Sequence, residues 1–365
     1  MDKMIIGFTL GRYLGAQFFR TIVAMFVTVF VLVYMLDFIE LMRRAGDAQG
    51  ATAGLMARLA LFRTPSVAEQ VLPFAVLFGS MATLLNLSRK LELVVARSAG
   101  VSAWQFLQPG IAVGLIVGLM SIMLYNPASA YLKQRATEIE ARIFARSSSA
   151  SSGKDLWIRQ SSVDGQAIIR AESAINNSTT LAGISVFTFD KSGSFKERIE
   201  AAQAILHEGY WELKAARVLS ALDEPQSYST YLIATNLNPS QVLQSFTPPD
   251  SVSFWDLPQV IERTELAGLD ATKYRLQHNI LTARPLLFIA MVLVAASVSL
   301  RFFRFGGVAK MVMGGVAAGF VLYVATKLME DLGASGFVRP VVSAWFPAVV
   351  GSLLGTLALL HQEDG

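Results

Sequence analysis

The sequence contains no cysteine. Disulfides, thiol nucleophiles and Cys-ligated metal sites are therefore excluded, while the compartment stays open. Histidine is nearly as scarce: His207, His278 and His361 lie far apart and show no ligand spacing. No Gly-x-Ser-x-Gly, no His-x-x-Glu-His and no Walker Gly-x-x-x-x-Gly-Lys-Ser/Thr loop occurs. Charge is also short. Only 16% of residues are charged and 53% are apolar, against about 25% and about 45–50% in ordinary soluble domains. Of 31 Lys+Arg and 27 Asp+Glu, the stretch Ala128 to Asn279 holds 15 basic and 17 acidic residues. That distribution excludes a soluble enzyme of uniform texture. It points to a membrane protein with a water-exposed domain set into its middle. The net charge of +4 then fits basic cytoplasmic loops better than nucleic-acid binding.

What is present in abundance is apolar runs. A spanning helix needs about 20 mostly apolar residues. Thr21–Leu36, extended by Tyr13–Phe19, is the first candidate, with Arg20 able to snorkel. Gln70–Ser88, Ser98–Leu132, Pro285–Leu300, Met311–Thr326 and Pro340–Leu360 complete six. Nothing reads as a cleaved signal peptide, because the first run is long and no small-residue site follows it. An even span count puts both termini on one side. Lys3, Arg12, Arg20, Arg89, Lys90, Arg97, Arg301, Arg304 and Lys310 lie near that side, against Arg43, Arg44, Arg58, Arg63, Lys327 and Arg339 opposite. The bias favours cytoplasmic termini and a middle domain outside the cytoplasm.

The middle reads as short strands: Leu156–Arg159, Gln166–Arg170, Ile184–Phe189, Arg198–His207, Tyr210–Arg217 and Tyr228–Thr235. Turn signals separate them at Val163-Asp164-Gly165, Asp190-Lys191-Ser192-Gly193 and Glu208-Gly209. A sandwich or jelly roll is expected. Asp223-Glu224 suits a solvated turn better than a catalytic pair, and an open strand edge offers a site for a partner strand. Beyond it, Pro258 marks the first turn of one helix and Asp270 caps another, Ala271–Thr282, leading into the fourth span.

The loop between spans two and three is the most informative: Ser88-Arg89-Lys90-Leu91-Glu92-Leu93-Val94-Val95-Ala96-Arg97-Ser98-Ala99-Gly100. Leu91, Val94 and Val95 recur at helical spacing, and Gly100 can end the helix. Two readings stand side by side. The helix lies on lipid headgroups, or it docks in a groove of a cytosolic ATPase. Glu92 tilts the balance to docking, since an acid gains nothing from anionic lipid and can pair with a partner's arginine.

This loop, together with three spans, a β-rich insertion and three more spans, resembles the LptF/LptG permease family of lipopolysaccharide export. The resemblance covers essentially the whole chain. Arg12-Tyr13-Leu14-Gly15, Glu92-Leu93-Val94-Val95, Gly183-Ile184-Ser185-Val186 and Gly319-Phe320-Val321-Leu322-Tyr323 resemble the LptG branch more than the LptF branch. The implied fold is a membrane α-helical protein, six transmembrane helices in a 3+3 arrangement, with an inserted periplasmic all-β jelly-roll-like domain. The expected boundaries are 1–132 for the first half, with a coupling helix at about 84–99, then 133–250 for the β-domain, 251–282 for connecting helices and 283–365 for the second half. The resemblance implies a permease subunit in the bacterial inner membrane, not an enzyme. It extracts lipopolysaccharide and passes it to the periplasmic bridge toward the outer membrane.

The implied partners are the LptF permease, an LptB ATPase dimer that holds ATP-Mg, LptC, and LptA through the bridge. No catalytic residue, cofactor or metal is expected in this chain, and no nucleic acid. Leu91, Glu92, Leu93, Val95 and Arg97 are the expected ATPase-coupling residues. A polyanion with many acyl chains wants Lys and Arg at the outer rim and apolar walls below. Phe26, Tyr34, Arg43, Arg44, Arg63, Lys133, Arg135, Arg142, Phe320, Tyr323 and Lys327 are the expected lipid path. Interfacial anchoring and helix packing are the competing readings for these residues. Asp37 departs from the basic character expected near the end of span one; with Glu40 it can pair locally with Arg43 or Arg44. Gly314, Gly315 and Gly319 permit close helix approach in span five. The sister subunit, an ABC-type lipoprotein-release or efflux permease, and an ion-coupled carrier are the alternatives. The last needs ionisable groups at mid-bilayer, which the centres of the six runs lack.

Overall fold

The computed structural model describes residues 7–46, 52–148, 156–162, 165–175, 180–190, 194–207, 209–220, 225–235, 248–266, 270–305 and 308–363. The chain divides into two compact units. One comprises Met1–Ile139, Asp250–Trp255 and Thr272–Gly365; the other comprises Glu140–Pro249 and Asp256–Ala271.

Among the described residues, six helices are long and apolar enough to cross a membrane: Phe8–Ala45, Ala53–Arg89, Ala103–Glu140, Thr272–Leu300, Val312–Ala334 and Pro340–His361. They are spans one to six below. At 1.5 Å per residue, span one is about 57 Å long, well beyond the hydrocarbon core. Each contains most or all of the apolar run expected for it, but the ends differ. Span three starts at Ala103 because Ser102 and Gln105 form a reciprocal capping box, at 3.2 Å and 3.0 Å. Span four is not preceded by a separate connecting helix: one helix runs unbroken from Thr272 to Phe305 with Pro285 inside it. Membrane helices tolerate such a proline when neighbouring helices take up the freed backbone group. The boundary expected at residue 282 is therefore not a break in the chain.

Spans two and four form the core of this unit, around Leu72, Val76, Leu77, Phe288, Val292 and Leu293. Glycines set the closest approaches. A Cβ on Gly79 would lie 2.6 Å from the Ile22 Cα, and one on Gly118 would lie 2.5 Å from the Pro285 Cα. Spans one and two, and spans three and four, thus pack backbone to backbone at these points. Gly315 and Gly319 of span five instead receive the Met81 and Leu77 side chains of span two.

In the second unit, six strands form one antiparallel sheet: β1 Leu156–Ser162, β2 Gly165–Ile175, β3 Thr180–Phe189, β4 Phe195–His207, β5 Tyr210–Ser220 and β6 Gln226–Ala234. Each strand read from sequence is there, mostly longer than expected. Among the described residues the order is sequential, β1 through β6. Within those residues the strands run as a meander, and the inserted all-β domain read from the sequence is present. Register places Ile169 opposite Val186, Val186 opposite Ile199 and Ile199 opposite Val218. All four are buried in one apolar row, and Trp211 is the largest buried side chain. Gly209 takes φ +87° before β5, as a two-residue hairpin turn requires. The other turn residues Val163, Asp164, Lys191, Ser192, Gly193 and Glu208, and the pair Asp223-Glu224, lie outside the described residues.

Candidate functional site

The loop after span two is built as a break and a restart. Span two ends at Arg89, where the Lys90 and Leu91 amides bond back to Asn86 and Ser88 carbonyls at 3.1 Å and 3.0 Å. Leu91 then takes φ +60°, a left-handed conformation that an L-residue seldom adopts. That turn ends one helix and starts another, Glu92–Ser98. The coupling helix is thus shorter than the expected 84–99, since residues up to 89 belong to span two. Gly100, at φ +85°, closes it, with the Val101 amide bonded to the Ala96 carbonyl at 3.1 Å.

The helix has two faces. Leu91, Val94 and Val95 are exposed, while Leu93 is 4% exposed and joins the core. Leu93 therefore anchors the helix rather than offering itself to a partner, contrary to its expected coupling role. Glu92 is half-buried and accepts a hydrogen bond from the Tyr13 hydroxyl at 3.2 Å. Arg97 lies on the same helix; its side chain is outside the described ones.

At the other ends of the helices, charges pair mainly with each other. Arg44 bonds Glu40 at 2.5 Å along span one, as expected of an i,i+4 pair. Asp37 instead reaches Arg63 of span two at 3.5 Å. The acid that looked out of place thus serves a contact between helices. Arg43 is exposed. Lys133 pairs with Asp250. Arg135 lies over the Tyr131 ring, 5.4 Å from its centroid, and bonds Glu138 at 3.3 Å. Lys327 bonds Glu330 at 2.6 Å. Arg142 lies on the helix Asn126–Ser148, its side chain outside the described ones.

The aromatic members of the expected lipid path do not share one surface. Phe26 packs edge-on against Tyr125 at 5.6 Å, so it faces the bundle. Tyr34 stacks on Phe38 at 6.3 Å, and Tyr323 meets Phe74 of span two at 5.3 Å. Phe320 is 61% exposed. Spans one and five are the least covered, with Met35, Leu36, Ile39, Val321 and Leu328 all exposed.

The model of the family "Lipopolysaccharide export system permease LptF/LptG" matches residues 12–361. The chain belongs to the LptF/LptG family. Among curated relatives, it is 24% identical over 369 residues to the "Lipopolysaccharide export system permease protein LptG" of Escherichia coli strain K12, covering 97% of this chain and 98% of that one. It is also 24% identical over 367 residues to the protein of the same name from Haemophilus influenzae strain Rd, covering 96% of each. Six apolar helices and family membership fit a multi-pass inner-membrane permease subunit.

One cluster in this family member escaped the sequence reading. Arg284 of span four and Glu69 of span two form an ion pair at 2.5 Å, with side chains only 10% and 8% exposed. Arg284 also donates to the Ser121 hydroxyl at 3.0 Å, and Asn126 donates to the same Glu69 oxygen at 2.9 Å. Glu69 and Arg284 each stand one residue before an uncharged run, at Gln70 and Pro285. As run boundaries they read as water-facing ends. No local signal separates them from hydrated run ends, because the partner of each lies on another helix.

Proposed function

We propose that the chain is the LptG-type subunit of an ATP-driven lipopolysaccharide exporter, with both termini cytoplasmic and the β-unit periplasmic. The observation that carries this reading is the uneven covering of the helices. Spans two and four are buried, whereas spans one and five leave long apolar faces open. In a bilayer such faces suit acyl chains or a second permease. Arg43, Arg63, Lys133, Arg135 and Lys327 lie on the side that takes the anionic headgroup, and Phe320 lines the path of the chains.

In this reading LptF supplies the second wall of the path. An LptB dimer binds ATP-Mg and hydrolyses it, and the helix Glu92–Ser98 docks on that dimer through Leu91, Glu92 and Val95. Glu92, already within reach of one donor, is placed to accept an arginine of the ATPase. Lipid leaves through the β-unit to LptC and LptA. No cofactor is assigned to this chain.

Photo-crosslinking in native membranes tests the path. A benzoylphenylalanine replacing Phe320 is expected to capture lipopolysaccharide, and one replacing Phe26 is not, because that ring faces Tyr125. Capture from lipid-facing Leu353 but never from Phe320 would reject the assignment. Co-purified proteins identified from the same membranes test the partners. Recovery with a lipoprotein-release ATPase instead of LptB would favour the ABC-type alternative.

A further inference from the structure

Glu69, Arg284 and Asn126 have no part in docking or in the lipid path. Their geometry is nonetheless the most elaborate polar arrangement among the described residues of the helical unit. Glu69 accepts from Arg284 and Asn126 on one oxygen, while the Asn126 carbonyl oxygen accepts from the Phe254 amide at 2.8 Å. The Tyr125 hydroxyl donates to the Pro65 carbonyl at 2.9 Å beside them. A π-helical turn, Ser121–Tyr125, makes this possible. Its i→i+5 bonding turns Ser121 and Asn126, five residues apart, to the same side. In a regular α-helix, one of them would face away from Arg284 and Glu69.

Burying two charges is costly, and a packed apolar pair would close the helices as well or better. The distinctive product of the cluster is its far end. Phe254 belongs to Asp250–Trp255, the strap by which the chain re-enters the helical unit. That strap is fastened again by the Gln134 amide to the Ser251 carbonyl at 2.9 Å, and by Lys133 to Asp250. The Phe254 ring stacks on His278 of span four at 5.2 Å, with the planes 4° apart. At the other end of span two, Arg89 is joined to the helix of Glu92 through the turn at Lys90 and Leu91. Glu69 lies 20 residues from Arg89, about 30 Å along one helix.

We propose that Glu69, Arg284 and Asn126 form a mechanical latch. They act as positioning residues that make spans two, three and four and the Asp250–Trp255 strap move as one body. A displacement at the Glu92 helix then travels along span two, through the buried pair and Asn126, to the main chain at Phe254. The proposal rests on the export reading above and adds the route by which ATP-driven movement reaches the strap.

The test uses the complete complex in vesicles containing lipopolysaccharide, with ATP hydrolysis and lipid delivery to the periplasmic acceptor measured side by side. Asn126→Leu keeps the branching and heavy-atom count of the side chain and removes both hydrogen bonds. Hydrolysis is expected within twofold of the unaltered complex, with delivery down at least tenfold. Unchanged delivery overturns the latch, and so does an equal fall in both, which marks a general folding or docking defect. A second measurement does not depend on a weakened fold. Gln134→Cys with Ser251→Cys, in a chain otherwise free of cysteine, is bridged by a short cleavable thiol linker. Delivery is expected to persist when bridged. Loss on bridging with recovery on cleavage shows that the strap must slide on span three, and overturns the proposal. If the unaltered complex delivers no lipid, the export reading falls and the latch falls with it, a result distinct from a failure confined to the variants.

Discussion

The Tyr13 hydroxyl donates a hydrogen bond to Glu92, joining the N-terminal end of span one to the first residue of the short helix 79 positions later. Both groups are accessible to solvent, so water competes for the bond and it adds little to stability. Its value is directional: it holds the carboxylate proposed above to meet the ATPase. Tyr13→Phe is expected to leave expression and co-purification of the ATPase unchanged and to reduce lipid-stimulated hydrolysis two- to fivefold. Glu92→Ala and Glu92→Lys are expected to weaken co-purification itself, the lysine more. Normal assembly and normal stimulation in both Glu92 variants would remove the docking assignment.

The two faces of that helix separate stability from association. Leu93→Ala opens space in the core and is expected to cost about 2–5 kcal/mol, seen as a lower thermal aggregation temperature in detergent. Val95, 65% exposed, is expected to tolerate alanine within about 0.5 kcal/mol while binding the ATPase less tightly. A Val95→Ala protein as unstable as Leu93→Ala would show the faces to be misassigned.

Removing one partner of the Glu69–Arg284 pair leaves a buried charge uncompensated. Arg284→Met alone is expected to destabilise by about 3–5 kcal/mol, and adding Glu69→Leu is expected to recover most of that loss. Thermal inactivation of the single and double variants reads the difference. Equal stability of the two would mean that water reaches Glu69.

The approach of span three to span four depends on the lack of a side chain at Gly118. Gly118→Val places carbon against the Pro285 backbone and is expected to cost about 1–3 kcal/mol through overpacking. Gly7, with open space around it, is the matched control, and its alanine variant is expected to keep normal stability.

Orientation is open to direct labelling because the chain has no cysteine background. A cysteine at exposed Leu232 of the sheet is expected to react with an impermeant maleimide in cells whose outer membrane alone is opened. A cysteine at exposed Val95 is expected to react only after the inner membrane is breached. The reverse pattern would invert the topology.

Much of this architecture is legible in the linear chain. The six spans follow from the length of uncharged apolar runs, since the bilayer imposes a minimum length on each segment separately. The strands follow from alternation and turn residues, which act over a few positions. Glu92 is legible because an acid in a basic amphipathic loop is locally odd. Other features resist such reading because they depend on what comes alongside. Nothing in Glu92-Leu93-Val94 says that Leu93 enters the core while Val94 stays outside; the left-handed turn at Leu91 sets that phase. By spacing Asp37 calls for a partner one turn along span one, yet Arg63 from another helix is the one nearby.

The sequence by itself determined the number of spans, the inserted β-domain and, through the loop around Glu92, the family. These are properties of single segments, decided by transfer from water and by local hydrogen bonding. Only the tertiary structure decided that the strands follow a meander and that Phe26 faces inward. It alone brought together Glu69, Arg284 and Asn126 from three helices beneath the strap at Phe254. Charges that mark the ends of apolar runs look hydrated when each run is read alone. Whether such a charge meets water or a counter-charge depends on which helix packs beside it, and glycine contacts such as Gly118 against Pro285 settle that packing.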